Sequence, residues 1–301
     1  MRSLLHLLPM AGLTVALVLP DTGYANPSDD EVAIELINPI GNMVSFYNGF
    51  EYRSYQGTLP GAGEQTRGYY TFTPSVPFKL KNGKTLVLRA ALPTSFATPA
   101  YLADGEDHAE WLIRKRADTL PTDGVFVHGH SHFDDISYDI AYGGVSENGV
   151  ITMIGLAGVL PTSQDGSIER DEFLLGPEFA IGKVTSWGIY GFWFKHLTAV
   201  ADMWDDEVDW DSNDTSVKIF FAYGLGNGWN IISNPLIEYD WDGAADNKLQ
   251  VPIGGGISKT TRLGKLPVKM DFELYYYAKS TKAFGSEWMM SFSITPALWT
   301  R

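Results

Sequence analysis

The chain has 301 residues, no cysteine and a formal charge of −14 at pH 7. The missing thiols exclude a disulfide framework, a zinc–thiolate centre and a cysteine nucleophile. The acidic balance argues against nucleic acid as a partner, and a mean hydropathy of −0.08 fits a soluble protein or a barrel that averages an apolar wall against a polar lumen.

The first residues address the chain for export. Arg2 precedes the apolar run LLHLLPMAGLTVALVLP, and Gly23-Tyr24-Ala25 offers small residues where a signal peptidase reads. Residues 1–25 are expected to be a signal peptide cleaved after Ala25, with an uncleaved anchor as the alternative. Nothing after residue 25 approaches about 18 consecutive apolar residues, so no membrane-spanning helix is expected. Residues 26–42 are expected to be a periplasmic lead-in or partial plug.

From residue 43 onward the sequence alternates apolar and polar side chains with the period-two beat of strands. Twelve strands are predicted, near 43–56, 68–80, 85–97, 134–144, 149–162, 172–183, 186–198, 214–226, 229–241, 247–259, 267–280 and 286–299. In PVKMDFELYYYAK, Val268, Met270, Phe272, Leu274, Tyr276 and Ala278 share one face and Lys269, Asp271, Glu273, Tyr275, Tyr277 and Lys279 the other. The strands near 150–160 and 187–194 are apolar on both faces and resist assignment.

The connections alternate in length. Tight turns follow the even-numbered strands: Lys81-Asn82-Gly83-Lys84, Ser146-Glu147-Asn148-Gly149, Lys183-Val184-Thr185-Ser186, Asn227-Gly228 and Arg262-Leu263-Gly264-Lys265. Asn-Gly supplies the positive φ angles of two-residue hairpins. Longer loops, at 57–67, 98–133, 163–171, 199–213, 242–246 and 281–285, follow the odd-numbered strands. Short periplasmic turns, long extracellular loops and an even strand count define an all-β transmembrane antiparallel barrel of the outer membrane over residues 43–301. Tyr52, Tyr70, Trp187, Trp229, Tyr239, Trp241, Trp288 and Trp299 near strand ends fit the aromatic girdles of such barrels.

The expected lumen holds both signs of charge. Glu51, Asp135, Asp139, Glu178, Glu238, Asp240, Asp271, Glu273 and Glu287 share it with Arg53, Lys79, Arg89, Lys218, Lys269 and Lys279. They either line a path or pair to close it, and pairing spares the cost of a lone buried charge. Loop 98–133 carries a stretch, GEDHAEWLIRKRADT, that fits a short helix, then His128, His130 and His132, whose spacing lacks the aspartate of a metallo-hydrolase motif. The acidic stretch 202–214 lacks an EF-hand glycine. No serine and histidine stand at a hydrolase spacing, His196 and Ser186 included. No catalytic residue, metal or cofactor is therefore expected. Outer-membrane lipid, lipopolysaccharide and the barrel-assembly machinery are the expected partners.

Further stretches carry a family likeness. These are Gly155-Leu156-Ala157-Gly158-Val159-Leu160-Pro161-Thr162, Leu175-Gly176-Pro177-Glu178, Trp187-Gly188, Lys195-His196, the run Tyr223–Trp229, Tyr239-Asp240-Trp241, the run Val251–Lys259 and Tyr275-Tyr276-Tyr277. On these residues the chain resembles the outer-membrane proteins of the phenol meta-degradation type over about residues 38–298. The resemblance implies the barrel, and it implies uptake of small hydrophobic or aromatic solutes. The rival expectation is a structural or surface-interaction barrel with a closed lumen. The chain departs from that family in loop 98–133 and in ending Trp299-Thr300-Arg301, where Trp299 would supply the terminal aromatic of the assembly signal.

Overall fold

The structure, a computed structural model, describes residues 27–102, 124–129, 131–163, 172–202, 212–243 and 245–299. The expected signal peptide, the stretch 105–119 and most of 202–214 lie outside the described residues. Twelve antiparallel strands form the wall: Met43–Gln56, Thr66–Lys79, Thr85–Phe96, Ile136–Val145, Val150–Leu160, Glu172–Thr185, Gly188–Asp202, Asn213–Gly226, a ninth in two parts, Leu249–Leu263, Leu266–Lys279 and Gly285–Trp299. The ninth strand comprises Trp229–Ser233 and Leu236–Asp240. The wall closes because the first strand pairs with the last, Met43 opposite Trp299. A small ribbon, Pro99–Leu102 against Val125–His128, rises from the loop after the third strand and was not foreseen.

Closure removes the sheet edges, so the strands can satisfy their backbone groups within the bilayer, one short stretch between the ninth and tenth excepted. The alternation then sorts side chains by solvent. In the eleventh strand Phe272, Leu274 and Tyr276 are 42–46% exposed on the outside, while Lys269, Asp271 and Tyr275 are nearly buried inside. A one-residue slip would put those charges in hydrocarbon, so the pattern fixes the register. The tight turns lie at one end, where Asn227 and Gly228 adopt φ of 53° and 75°. Aromatic rings collect at both ends of the outer wall. Trp187 stacks on Tyr190 and Tyr223 at the turn end, and Tyr276 meets Trp288 at the loop end.

The two strands that resisted assignment are explained by what fills the barrel. Residues Asp29–Ile37 form a helix inside the turn end of the lumen. Ser28 caps it, its hydroxyl accepting from the Glu31 N–H while the Glu31 carboxylate accepts from the Ser28 N–H, a reciprocal capping box. Asp30 accepts from the Gly228 N–H at 2.6 Å, and Asp29 pairs with Arg262 at 3.1 Å. Ile34, Ile37 and Ile40 then pack on Val87, Ile151, Met153, Ile189, Phe220 and Ile232. The inner faces of the fifth and seventh strands are apolar because they face this helix and not water. The expected lead-in is thus a folded plug.

One stretch of wall lacks its ladder. The ninth and tenth strands pair at 229–232 with 256–259 and again at 238–239 with 249–250, but not between. Pro235 and Pro252 have no N–H to give. Gly254 and Gly256 let the tenth strand lie so close to the eleventh that a Cβ would strike the Leu274 and Phe272 carbonyls. Residues 233–237 therefore face 251–255 without pairing.

Candidate functional site

Above the helix the lumen opens into a cavity of about 470 Å³, a size suited to a small ligand. Its floor is the segment from Glu35 to Gly41, and its sides include Tyr47, Trp193, Phe220, Leu236, Tyr275 and Tyr277. Arg89 joins floor to wall. One of its guanidinium N–H groups donates to the Pro39 carbonyl at 2.5 Å, and its Nε donates to both oxygens of Asp139 at 2.9–3.0 Å. The same guanidinium lies 4.3 Å from the Trp193 ring centre, and the Lys195 ammonium 4.5 Å from it. Lys195 reaches Asp139 at 3.5 Å and Glu178 at 3.6 Å, and the Trp193 indole donates to Glu178 at 3.0 Å. These interlocked pairs hold one side of the cavity rigid.

On the opposite side Lys269 pairs with Asp271 at 2.6 Å, and Ser293 donates to the same carboxylate. Arg53 pairs with Glu51 and faces the Tyr277 ring. The unpaired stretch of wall is latched from within. The Asn234 N–H, which has no ladder partner, donates to the Tyr275 hydroxyl at 2.7 Å. That hydroxyl donates to Glu273 at 2.6 Å, and the Asn234 amide donates to the same oxygen at 2.9 Å. The Ser233 hydroxyl also donates to the Gly254 carbonyl across the break at 2.7 Å, so side chains do here what the ladder does elsewhere.

Of the lumen residues expected from sequence, Arg53, Arg89, Lys218, Glu238, Lys269, Asp271 and Glu273 line this cavity, as do Glu51 and Asp139. Glu178 is buried beneath Trp193 and Lys195. Lys79 and Lys279 are exposed at strand ends and do not line this cavity. Asp135 and Asp240 accept from loop backbone instead of lining the cavity, Asp135 from Thr162 and Ser163 and Asp240 from Asp242 and Gly243. The features that sequence reasoning missed are Trp193, Lys195, Asn234 and the helical form of the expected partial plug. The Asn234-Pro235 dipeptide inside a predicted strand was the readable signal for the wall break.

At the loop end Tyr55, Leu59, Ala62, Tyr101 and Phe284 bury one another, with Phe126 of the small ribbon against them. His132 is buried against Asp134 at 3.0 Å, and the same carboxylate accepts from Ser95. His128 is exposed, so these two histidines do not share a site, and His130 lies outside the described residues. Asp246 is held below its ordinary value of 3.8 by the Lys282 ammonium that donates to it at 3.1 Å. A depressed carboxyl keeps its contact above the ordinary aspartate range and loses it only as pH falls through the lowered value. This loop contact should therefore be intact throughout neutral and mildly acidic pH.

The Arg89–Asp139 pair makes a sharp prediction for stability. Asp139→Ala would leave Arg89 and Lys195 facing a carboxylate's empty place, and breaking a buried pair costs about 3–5 kcal/mol. The temperature at which the folded band disappears on a denaturing gel should drop clearly. The double variant Arg89→Met, Asp139→Leu should recover most of that loss, since Arg89 goes with its partner and Lys195 keeps Glu178.

No protein-family profile and no curated protein matches the sequence. By structure the chain is similar to an outer membrane channel from Pseudomonas putida F1, with a TM-score of 0.60 at 9% identity over 91% of this chain and 100% of that one. It is also similar to the Pseudomonas putida toluene transporter TodX, with a TM-score of 0.42 at 8% identity over 88% of this chain and 93% of that one. The first likeness establishes the fold. The chain is an outer-membrane β-barrel of twelve strands.

Proposed function

We propose that the protein is a passive outer-membrane channel for small hydrophobic, chiefly aromatic, molecules. The observation that carries this reading is a part-apolar lumen cavity, floored by a folded helix and flanked by a stretch of wall without a ladder. The similarity to an outer membrane channel and the sequence resemblance to the phenol meta-degradation type support the same reading. A hydrophilic pore would need a continuous wet path, and here the turn end is packed with aliphatic side chains. An apolar solute has a different way on: sideways, between the ninth and tenth strands, into lipid. No chemistry is assigned to the site, and lipid, lipopolysaccharide and the assembly machinery remain the proposed surroundings.

The rival reading, a structural barrel with a sealed interior, does not explain why the wall break is held by side chains and not by a ladder. A reversible tether tests the route. The register is the same on both sides of the break, which places Ile237 opposite Val251. Ile237→Cys with Val251→Cys should cross-link without competition, since the chain has no other cysteine. Oxidation should abolish most toluene uptake and reduction should restore it. Uptake unchanged by oxidation would rule the lateral route out.

A further inference from the structure

We infer that the cavity contains an anion-binding position at Lys218, so that its solutes include amphipathic carboxylates: an aromatic or short aliphatic body bearing one anionic head. The inference rests on the channel reading and names a substrate class within it. Lys218 stands on the inner face of the eighth strand, opposite Trp193 on one neighbouring strand and Leu236 on the other. Phe220 is the next inward residue on the same strand, and all four line the cavity. Lys218 is exposed to the cavity, at the lip of the wall break, where the Ile219 N–H donates to the Pro235 carbonyl.

What singles this residue out is the state of the cations around it. Arg53 is paired with Glu51, Arg89 with Asp139, Lys195 with Asp139 and Glu178, and Lys269 with Asp271. Among the described residues, Lys218 has no ion-pair partner. Its surroundings in the lumen act on it first by burial, and the charges that follow are Glu273 and, with its own sign, Lys195, Lys269 and Arg89. Glu273 is committed to Tyr275 and Asn234, where it latches the break. A carboxylate arriving at Lys218 would gain a charge-assisted contact without displacing any pair already made. Its body would lie on Trp193, Phe220 and Leu236, whose apolar surface the ammonium alone cannot use. A neutral hydrocarbon could fill the same space but would leave the cation hydrated.

Two probes with one body separate the head from the tail: 4-phenylbutyrate and its uncharged analogue 4-phenylbutan-1-ol. Each is titrated by calorimetry into the full mature chain in a non-ionic detergent. The wild type should bind the acid about tenfold tighter than the alcohol, the scale of one hydrogen bond to a charged group. Lys218→Met should erase that preference while binding the alcohol as before, and Lys218→Arg should keep it. Heat-modifiable migration of each variant reports that the barrel has folded. Equal affinity for acid and alcohol in the wild type, or a preference that survives Lys218→Met, overturns the anion site. Either result leaves the channel reading standing, because that reading is decided by toluene uptake.

Discussion

Deleting residues 27–41 should raise the single-channel conductance in planar bilayers severalfold. The helix is the floor of the cavity, and its aliphatic side chains close the turn end against Ile151, Met153, Ile189 and Phe220. Without it the ions meet a lumen whose remaining charges are set in the wall. The deletion also uncovers apolar surface and removes the Pro39 carbonyl from Arg89 and the Asp29 carboxylate from Arg262. The barrel should therefore unfold at a lower temperature while still assembling, because its twelve-strand ladder does not include the helix. A gentler variant tests the same idea. Asp30→Ala with Arg262→Ala cuts the polar anchors at Gly228 and Asp29 but leaves the chain intact. It should give brief, large openings in place of a steady high conductance. Traces identical to wild type in both variants would mean that the helix does not obstruct the lumen.

That helix also marks where the sequence stopped being legible. The twelve strands could be read because lipid and lumen impose opposite demands on alternate residues, and 267–279 spells those demands out. Strands 150–160 and 187–194 could not be read, since their inner faces meet a protein plug that wants aliphatic residues as lipid does. Period two carries no information when both sides are apolar. The site fared similarly. Charged lumen residues such as Arg89, Lys218 and Glu273 were visible from alternation alone. Trp193 and Lys195 lay on an unreadable strand, and the Asn234–Tyr275–Glu273 latch joins strands whose neighbourhood only the closed wall reveals. Lys279 stands at the end of its strand away from the cavity; alternation says which way a residue points and not how far along the wall it lies.

Leu274→Arg should impair assembly, whereas Glu273→Ala should not. Leu274 is 46% exposed on the outer wall, midway along the eleventh strand between Phe272 and Tyr276. An arginine near the bilayer midplane costs about 2–4 kcal/mol, a large share of a barrel's margin. Less heat-modifiable protein should reach the outer membrane, and the remainder should be degraded or left in the periplasm. Glu273→Ala removes the acceptor that Tyr275 and Asn234 share. That loosens the wall break and alters permeability with the fold retained. If Leu274→Arg assembles normally and Glu273→Ala does not, the assignment of faces is reversed.

The most direct test of a channel for hydrophobic solutes is the initial rate at which intact cells take up radiolabelled toluene at limiting concentration. Cells lacking the gene are compared with the same cells carrying it and with cells carrying the oxidised Ile237→Cys, Val251→Cys pair. The account predicts faster uptake with the wild-type protein and a return to the deletion rate with the tethered one. Equal rates in cells with and without the protein would contradict it and leave a barrel whose role is structural.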